Sequence, residues 1–334
     1  MERYIAIDNV CAWPNLTKMP DGAIIATIFN QPCHGLWEGD VECWASEDGG
    51  RFWERRGTPA PHEPGTNRMN VAAGLAFNDD LVVLASGWTH RPRKGEGRAG
   101  HEAPAHPLLP WVCRSADGGR TWTRAETISP PDAKSARIIP FGDIVGLADG
   151  ALGVCIYSWQ PPDEHNCYFY VSADDGHTWS IRGTIQEGNI NETAPLVLPN
   201  GEVLACARTL GDQHLDLFRS KDHGQSWERE QAVSKGSQHP AHLLNLADGR
   251  VLLTYGDRRG RLDQGGHQGI ETRISADGGH TWGDPARLVD LEPSDLGYPA
   301  TVQTDQETLL TAWYCSGITV HQRYHMGVGI WNIA

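Results

Sequence analysis

The chain has 334 residues and a formal net charge of −14, from 28 Lys and Arg against 42 Asp and Glu. That excess excludes nucleic acid and an anionic membrane surface as partners, because either polyanion would repel it. With 38 Gly, 21 Pro, 13 Trp, only 4 Met and no long apolar run at helical spacing, the composition predicts an all-β fold.

The N-terminal MERYIAIDNV reads as a strand rather than a leader peptide, and no apolar run reaches membrane-spanning length. The eight cysteines show neither CxxC pairs nor zinc spacing, and several lie inside apolar strand patterns such as Gly153–Trp159. They read as buried reduced thiols, which makes a cytoplasmic location the expectation. No cofactor and no metal site is expected.

Two patterns alternate along the chain. The first is Ser-x-Asp-x-Gly-x-x-Trp, found five times: Ser46–Trp53, Ser115–Trp122, Ser172–Trp179, Ser220–Trp227 and Ser275–Trp282. The Asp accepts hydrogen bonds from turn amides, the Gly takes a left-handed conformation, and the Trp packs under the turn. Asp48, Asp117, Asp174, Asp222 and Asp277 are therefore structural rather than catalytic. The second pattern is a β-hairpin, found six times, with turns centred near Asp21, Asp79, Asp149, Asn200, Asp248 and Asp305.

Each repeat then makes a four-stranded sheet, with the hairpin inside and the Asp-turn joining the two outer strands. The sixth repeat lacks an Asp-turn, and the N-terminal strand supplies its missing outer strand and closes the ring. The prediction is one domain over residues 1–334, a six-bladed β-propeller. A loop over residues 89–110, rich in Pro, Gly and basic residues, interrupts the second repeat and contains His90, His101 and His106. It reads as a solvated loop, with a lid over the centre as the second reading.

The fourth hairpin, NETAPLVLPNGEVLACAR, puts Glu192 and Arg208 equally far from Asn200, so the two face each other at the open end. On a sheet surface such a pair is a weak salt bridge. Five Asp-turns with hairpins between them resemble the sialidase (neuraminidase) superfamily over essentially the whole chain. The resemblance implies a catalytic site where the inner strands converge, with a tyrosine nucleophile activated by a glutamate, an acid/base aspartate and three carboxylate-binding arginines.

By that match Glu192 activates the nucleophile, Arg208 binds the substrate carboxylate, and Tyr298, opening the sixth hairpin in LGYPATV, is the nucleophile. The first arginine of the family pattern is replaced by Trp13 in Ala12-Trp13-Pro14, which reads as a platform for a sugar ring. The remaining arginine has Arg258, Arg259, Arg68 and Arg273 as candidates. The acid/base belongs to the loop holding His34, Glu38 and Asp40, with Asp40 or Glu38 as donor, and His239 is a further axial candidate. Trp37 and Trp44 are possible stacking residues. The implied function is an exo-acting glycoside hydrolase for a terminal acidic, sialic-acid-like sugar, its partner an oligosaccharide or smaller substrate. The alternatives are a hydrolase or lyase for uronate- or rhamnose-type oligosaccharides, and a non-catalytic glycan-binding propeller.

Overall fold

The computed structural model describes residues 1–35, 38–89, 107–131, 137–158, 165–259, 267–292, 294–317 and 321–333. Among them are 24 strands and no helix. All six expected hairpins form. Their first strands are Ala12–Lys18, Thr66–Leu75, Ile138–Gly146, Ile190–Val197, Gln238–Asn245 and Leu296–Gln303. Each of these touches the next, and the last touches the first, so the six enclose an axis. This is the propeller arrangement, with apolar faces buried between neighbouring sheets rather than in one central core.

The sheets depart from six separate units. Four are independent and four-stranded, whereas the second and third repeats share one eight-stranded sheet. Their first strands pair in parallel, Gly142 with Ala72, Asp143 with Ala73 and Ile144 with Gly74. Gly74 allows this approach: a Cβ there would lie 2.4 Å from the Ile144 carbonyl oxygen. The N-terminal strand Glu2–Asp8 pairs antiparallel with His325–Asn332, completing the sheet that contains Leu296–Gln303.

The Asp-turns have the expected mechanics. In the first, the Ser46 hydroxyl donates to Asp48 at 2.8 Å and accepts the Gly50 amide at 2.8 Å, while Asp48 also accepts the Phe52 amide at 2.9 Å. The Trp53 indole donates to the Gly50 carbonyl at 3.1 Å. The turns at Asp117, Asp174 and Asp222 repeat this set. The turn at Asp277 repeats it except that the buried Trp282 indole nitrogen has no partner.

Gly119, in the second turn, has φ +91° and would place a Cβ 2.4 Å from Cys43 Sγ in the neighbouring sheet. Gly119→Ala is expected to cost about 2 kcal/mol, read as a lower urea midpoint with an unchanged slope.

The interruption in the second repeat is shorter than expected, because Thr89 ends one strand and Pro107 begins the next. His90, His101, His106 and Trp37 lie outside the described residues. All eight cysteines are buried. Among the described residues no helix is long and apolar enough to cross a membrane.

Candidate active site

Five of the six inner strands break register near their starts, and these breaks fall at matching places. They lie between Ala12 and Asn15, Arg68 and Asn70, Ile190 and Thr193, Gln238 and Ala241, and Gly297 and Ala300. A β-bulge re-aims a side chain that the regular pleat would place elsewhere. The residues inside these breaks include Trp13, Met69, Glu192, His239 and Tyr298. Trp13 and Tyr298 have φ of 43° and 49°, each a left-handed strain of about 1–3 kcal/mol for a bulky residue.

At this end of the axis lies a cavity of about 280 Å³, with Trp13, His34, Trp88, Glu192, His242 and Tyr298 in its wall. The Tyr298 hydroxyl donates to Glu192 Oε1 across 106 residues of sequence. The other oxygen of Glu192 accepts from Arg208 Nη1 at 2.7 Å. Burial, then the Glu192 charge, push the Tyr298 phenol well above its ordinary value, against the opposing pull of Arg208 and Arg258. At neutral pH the phenol is protonated and its proton is directed at a carboxylate, the arrangement of a nucleophile waiting on its base.

Arg258 stands beside this pair, its guanidinium carbon 5.6 Å from the Tyr298 ring centre. The Nε atoms of Arg208 and Arg258 are both buried without a hydrogen-bond partner. Arg258 donates to the Tyr314 hydroxyl at 3.1 Å and lies 3.7 Å from Asp295 Oδ1. Asp295 also accepts from Tyr314 at 2.6 Å and from Tyr324 at 2.7 Å, and His34 Nδ1 lies 2.6 Å from its Oδ2. Burial alone would raise the Asp295 carboxyl, but His34, then Arg258 and Tyr314, hold it well below the usual range.

Other candidates are placed elsewhere. Arg68 is buried, but it donates to Glu63 and to the Ala85 and Leu109 carbonyls and stacks on Trp111, 3.8 Å from the ring centre. Arg273 gives its donors to the Gly283, Val233 and Trp282 carbonyls at the outer turn. Arg259 is tied to Asp257 and Glu271. Neither Asp40 nor Glu38 is in the cavity wall: Asp40 accepts the His62 backbone amide at 2.8 Å and faces its ring at 2.7 Å, and Glu38 accepts the Gly65 amide at 2.7 Å.

His239 is buried and is not in the cavity wall, and its Nε2 lies 3.1 Å from Gln213. Burial, then Arg208 and Arg258, lower its value to about 2, so the imidazole is neutral. Trp44 donates to Glu42 and lies outside the cavity wall. Asp295, Tyr314, Tyr324 and His242 were not singled out from the sequence. Asp295 sits three residues before Tyr298, but its partners come from distant segments and no local pattern marks them. Among the described residues no group of three or more His, Cys, Asp or Glu could hold a metal ion.

An all-β propeller with Ser-x-Asp turns and a Tyr–Glu–Arg cluster at the axis defines the class. Residues 99–310 match the family described as BNR repeat-like domain, and the chain belongs to it. A sialidase from Bacteroides fragilis is 24% identical, aligned over 92% of this chain and 60% of its own length. A sialidase from Micromonospora viridifaciens is 27% identical over 51% of this chain and 30% of its own. The chain thus spans less than two thirds of the length of either relative.

Among solved structures, a protein of unknown function from Dyadobacter fermentans superposes with a TM-score of 0.80 at 24% identity, covering 100% of this chain and 98% of that one. Trypanosoma rangeli sialidase in complex with the inhibitor DANA gives a TM-score of 0.73 at 14% identity, covering 99% of this chain and 55% of that one. At these identities the structural likeness speaks for the fold.

Proposed function

We propose that the protein is an exo-acting glycoside hydrolase of sialidase type, cleaving a terminal acidic sugar with Tyr298 as nucleophile. The observation that carries this reading is that Tyr298 and Glu192, both in the wall of a cavity, are joined by a hydrogen bond from the phenol, while Arg208 holds the other oxygen of Glu192. A cross-strand salt bridge needs no tyrosine from a distant sheet and no strained backbone to present it. In this reading the eight-stranded sheet counts as two blades of a six-bladed ring, and the single domain spans residues 1–334.

Glu192 takes the phenolic proton as Tyr298 attacks the anomeric carbon. Using a neutral nucleophile avoids repulsion from a carboxylate on the substrate. Arg208, bound to Glu192, and Arg258, beside the Tyr298 ring, supply positive charge for that carboxylate from just outside the cavity wall. Trp13, where the family pattern has an arginine, offers a ring face to the sugar.

The test is release of 4-methylumbelliferone from its sialic acid α-glycoside by the purified chain. Arg208→Met is expected to lower kcat/KM for that substrate by about 100-fold, the worth of a charged hydrogen bond. A loss equally large on a neutral glycoside would remove Arg208 from carboxylate binding.

One observation favours a second reading. Asp295 already lies against Arg258, which lowers the net positive charge available to a substrate. Another carbohydrate-active enzyme, acting on a uronate- or rhamnose-type oligosaccharide, would fit that balance where the sugar held in the cavity is the neutral rhamnose. Turnover of such an oligosaccharide without turnover of the sialoside would select it, and new ultraviolet absorbance in the product would mark a lyase.

A further inference from the structure

The reading above leaves the leaving-group oxygen without a proton donor. The loop that supplies the acid/base aspartate in the sialidase pattern contributes a different residue to this cavity. We propose that His34, oriented by Asp295, is the general acid and base of the site. The proposal rests on the hydrolase reading.

Five titratable side chains line the cavity: His34, Tyr157, Glu192, His242 and Tyr298. Glu192 and Tyr298 are bound to each other. Burial pushes the Tyr157 phenol far above its ordinary value, which makes it a poor proton donor. His242 has both ring nitrogens occupied: Nε2 lies 3.1 Å from Asp143, and Nδ1 accepts the Thr301 amide at 3.4 Å. His34 is left. Its Nδ1 faces the Asp295 carboxylate at 2.6 Å, and among the described residues its Nε2 has no hydrogen-bond partner.

An ionised carboxylate only accepts, so the proton of that bond sits on Nδ1 and Nε2 is the exchanging atom. Asp295 is a fixed anchor, since Tyr314, Tyr324 and Arg258 hold it in place. The same principle orients the imidazole of a serine-protease triad through a buried aspartate. Trp13 packs edge-on against the His34 ring at 4.8 Å and contacts the Tyr298 ring at 6.1 Å, so one indole braces both. Half of the His34 side chain, 54%, is accessible, as a group meeting substrate requires.

The steps balance as a double displacement. The Tyr298 oxygen bonds to the anomeric carbon and its proton passes to Glu192. The glycosidic C–O bond breaks, and its oxygen takes the Nε2 proton of His34. Neutral His34 then removes a proton from water as the water oxygen attacks the same carbon. The Tyr298–carbon bond breaks and Tyr298 recovers its proton from Glu192.

The test uses two glycosides of one acidic sugar, one with a nitrophenol leaving group and one with a simple alcohol. A nitrophenolate departs without protonation, and an alkoxide does not. His34→Ala is expected to lose about 100-fold or more in kcat/KM on the alkyl glycoside and less than about tenfold on the nitrophenyl glycoside. His34→Gln, which can still donate to Asp295, is expected to show the same split while retaining the wild-type thermal midpoint. Equal losses on both substrates, or no loss on either, would overturn the assignment of His34 alone. If the wild-type chain cleaves neither, the hydrolase reading fails and this one falls with it.

Discussion

Tyr298→Phe is expected to abolish glycoside turnover, a fall in kcat/KM of about 10⁴-fold or more, while the folded protein keeps its thermal midpoint within a few degrees. The variant removes one oxygen, the one that donates to Glu192, and leaves the ring in its contacts with Trp13, Phe141 and Tyr314. Loss of that hydrogen bond relieves as well as weakens, because the phenol is buried beside a carboxylate. The substrate-binding part of the site remains, so a product sugar or unreactive analogue should still bind, measurable by calorimetry.

That combination separates a nucleophile from a structural tyrosine. A structural role would lower binding, stability and turnover together. Glu192→Gln should follow Tyr298→Phe in direction, because the amide keeps the shape but cannot take the proton. If Tyr298→Phe retained a tenth of wild-type activity, the nucleophile would have to be another group and the Tyr–Glu pair would become a packing feature.

The sequence carried the hairpins and Asp-turns because both depend on local chemistry: a turn residue, a glycine, an indole a few positions on. It also carried the Glu192–Arg208 pair, which symmetric counting from Asn200 brings together. The bulges were less legible, although a signal for three of them is written in the chain. Trp13-Pro14, His239-Pro240 and Tyr298-Pro299 each put a proline at the start of an inner strand, a position that suits a broken ladder, although Pro140 and Pro195 stand in unbroken pairings of the same kind of strand.

The joined second and third sheets depend on Gly74, whose missing Cβ admits the Ile144 carbonyl, and nothing local announces it. Arginines were harder still. Arg68 and Arg258 look equally suitable in sequence, and only the packing shows that Trp111 and Glu63 claim the first. Asp295 was invisible for the same reason, since its partners His34, Arg258, Tyr314 and Tyr324 come from four separate segments.

Asp295→Asn is expected to destabilise the protein by about 3 kcal/mol at neutral pH, the usual cost of leaving a buried charge without its partner. The stranded group is Arg258, whose Nη1 lies 3.7 Å from Asp295 Oδ1. Tyr314 and Tyr324 lose a charged acceptor in the same step. The pH dependence follows from the direction of the shift. The folded-state value of Asp295 lies below the ordinary carboxylate value, near about 4 in an unfolded chain.

Its contribution is therefore fully present above about pH 4 and is lost as the pH falls through the folded value. The groups facing it are His34, Arg258, Tyr314 and Tyr324, with the buried Cys11 nearby. None of these groups is a carboxylate that would titrate in the same range. The gap in thermal midpoint between wild type and Asp295→Asn should be widest near neutrality and narrow steadily below about pH 4. A gap that stays constant into acid would mean the aspartate acts through shape, and the charge balance assigned to this anchor would be wrong.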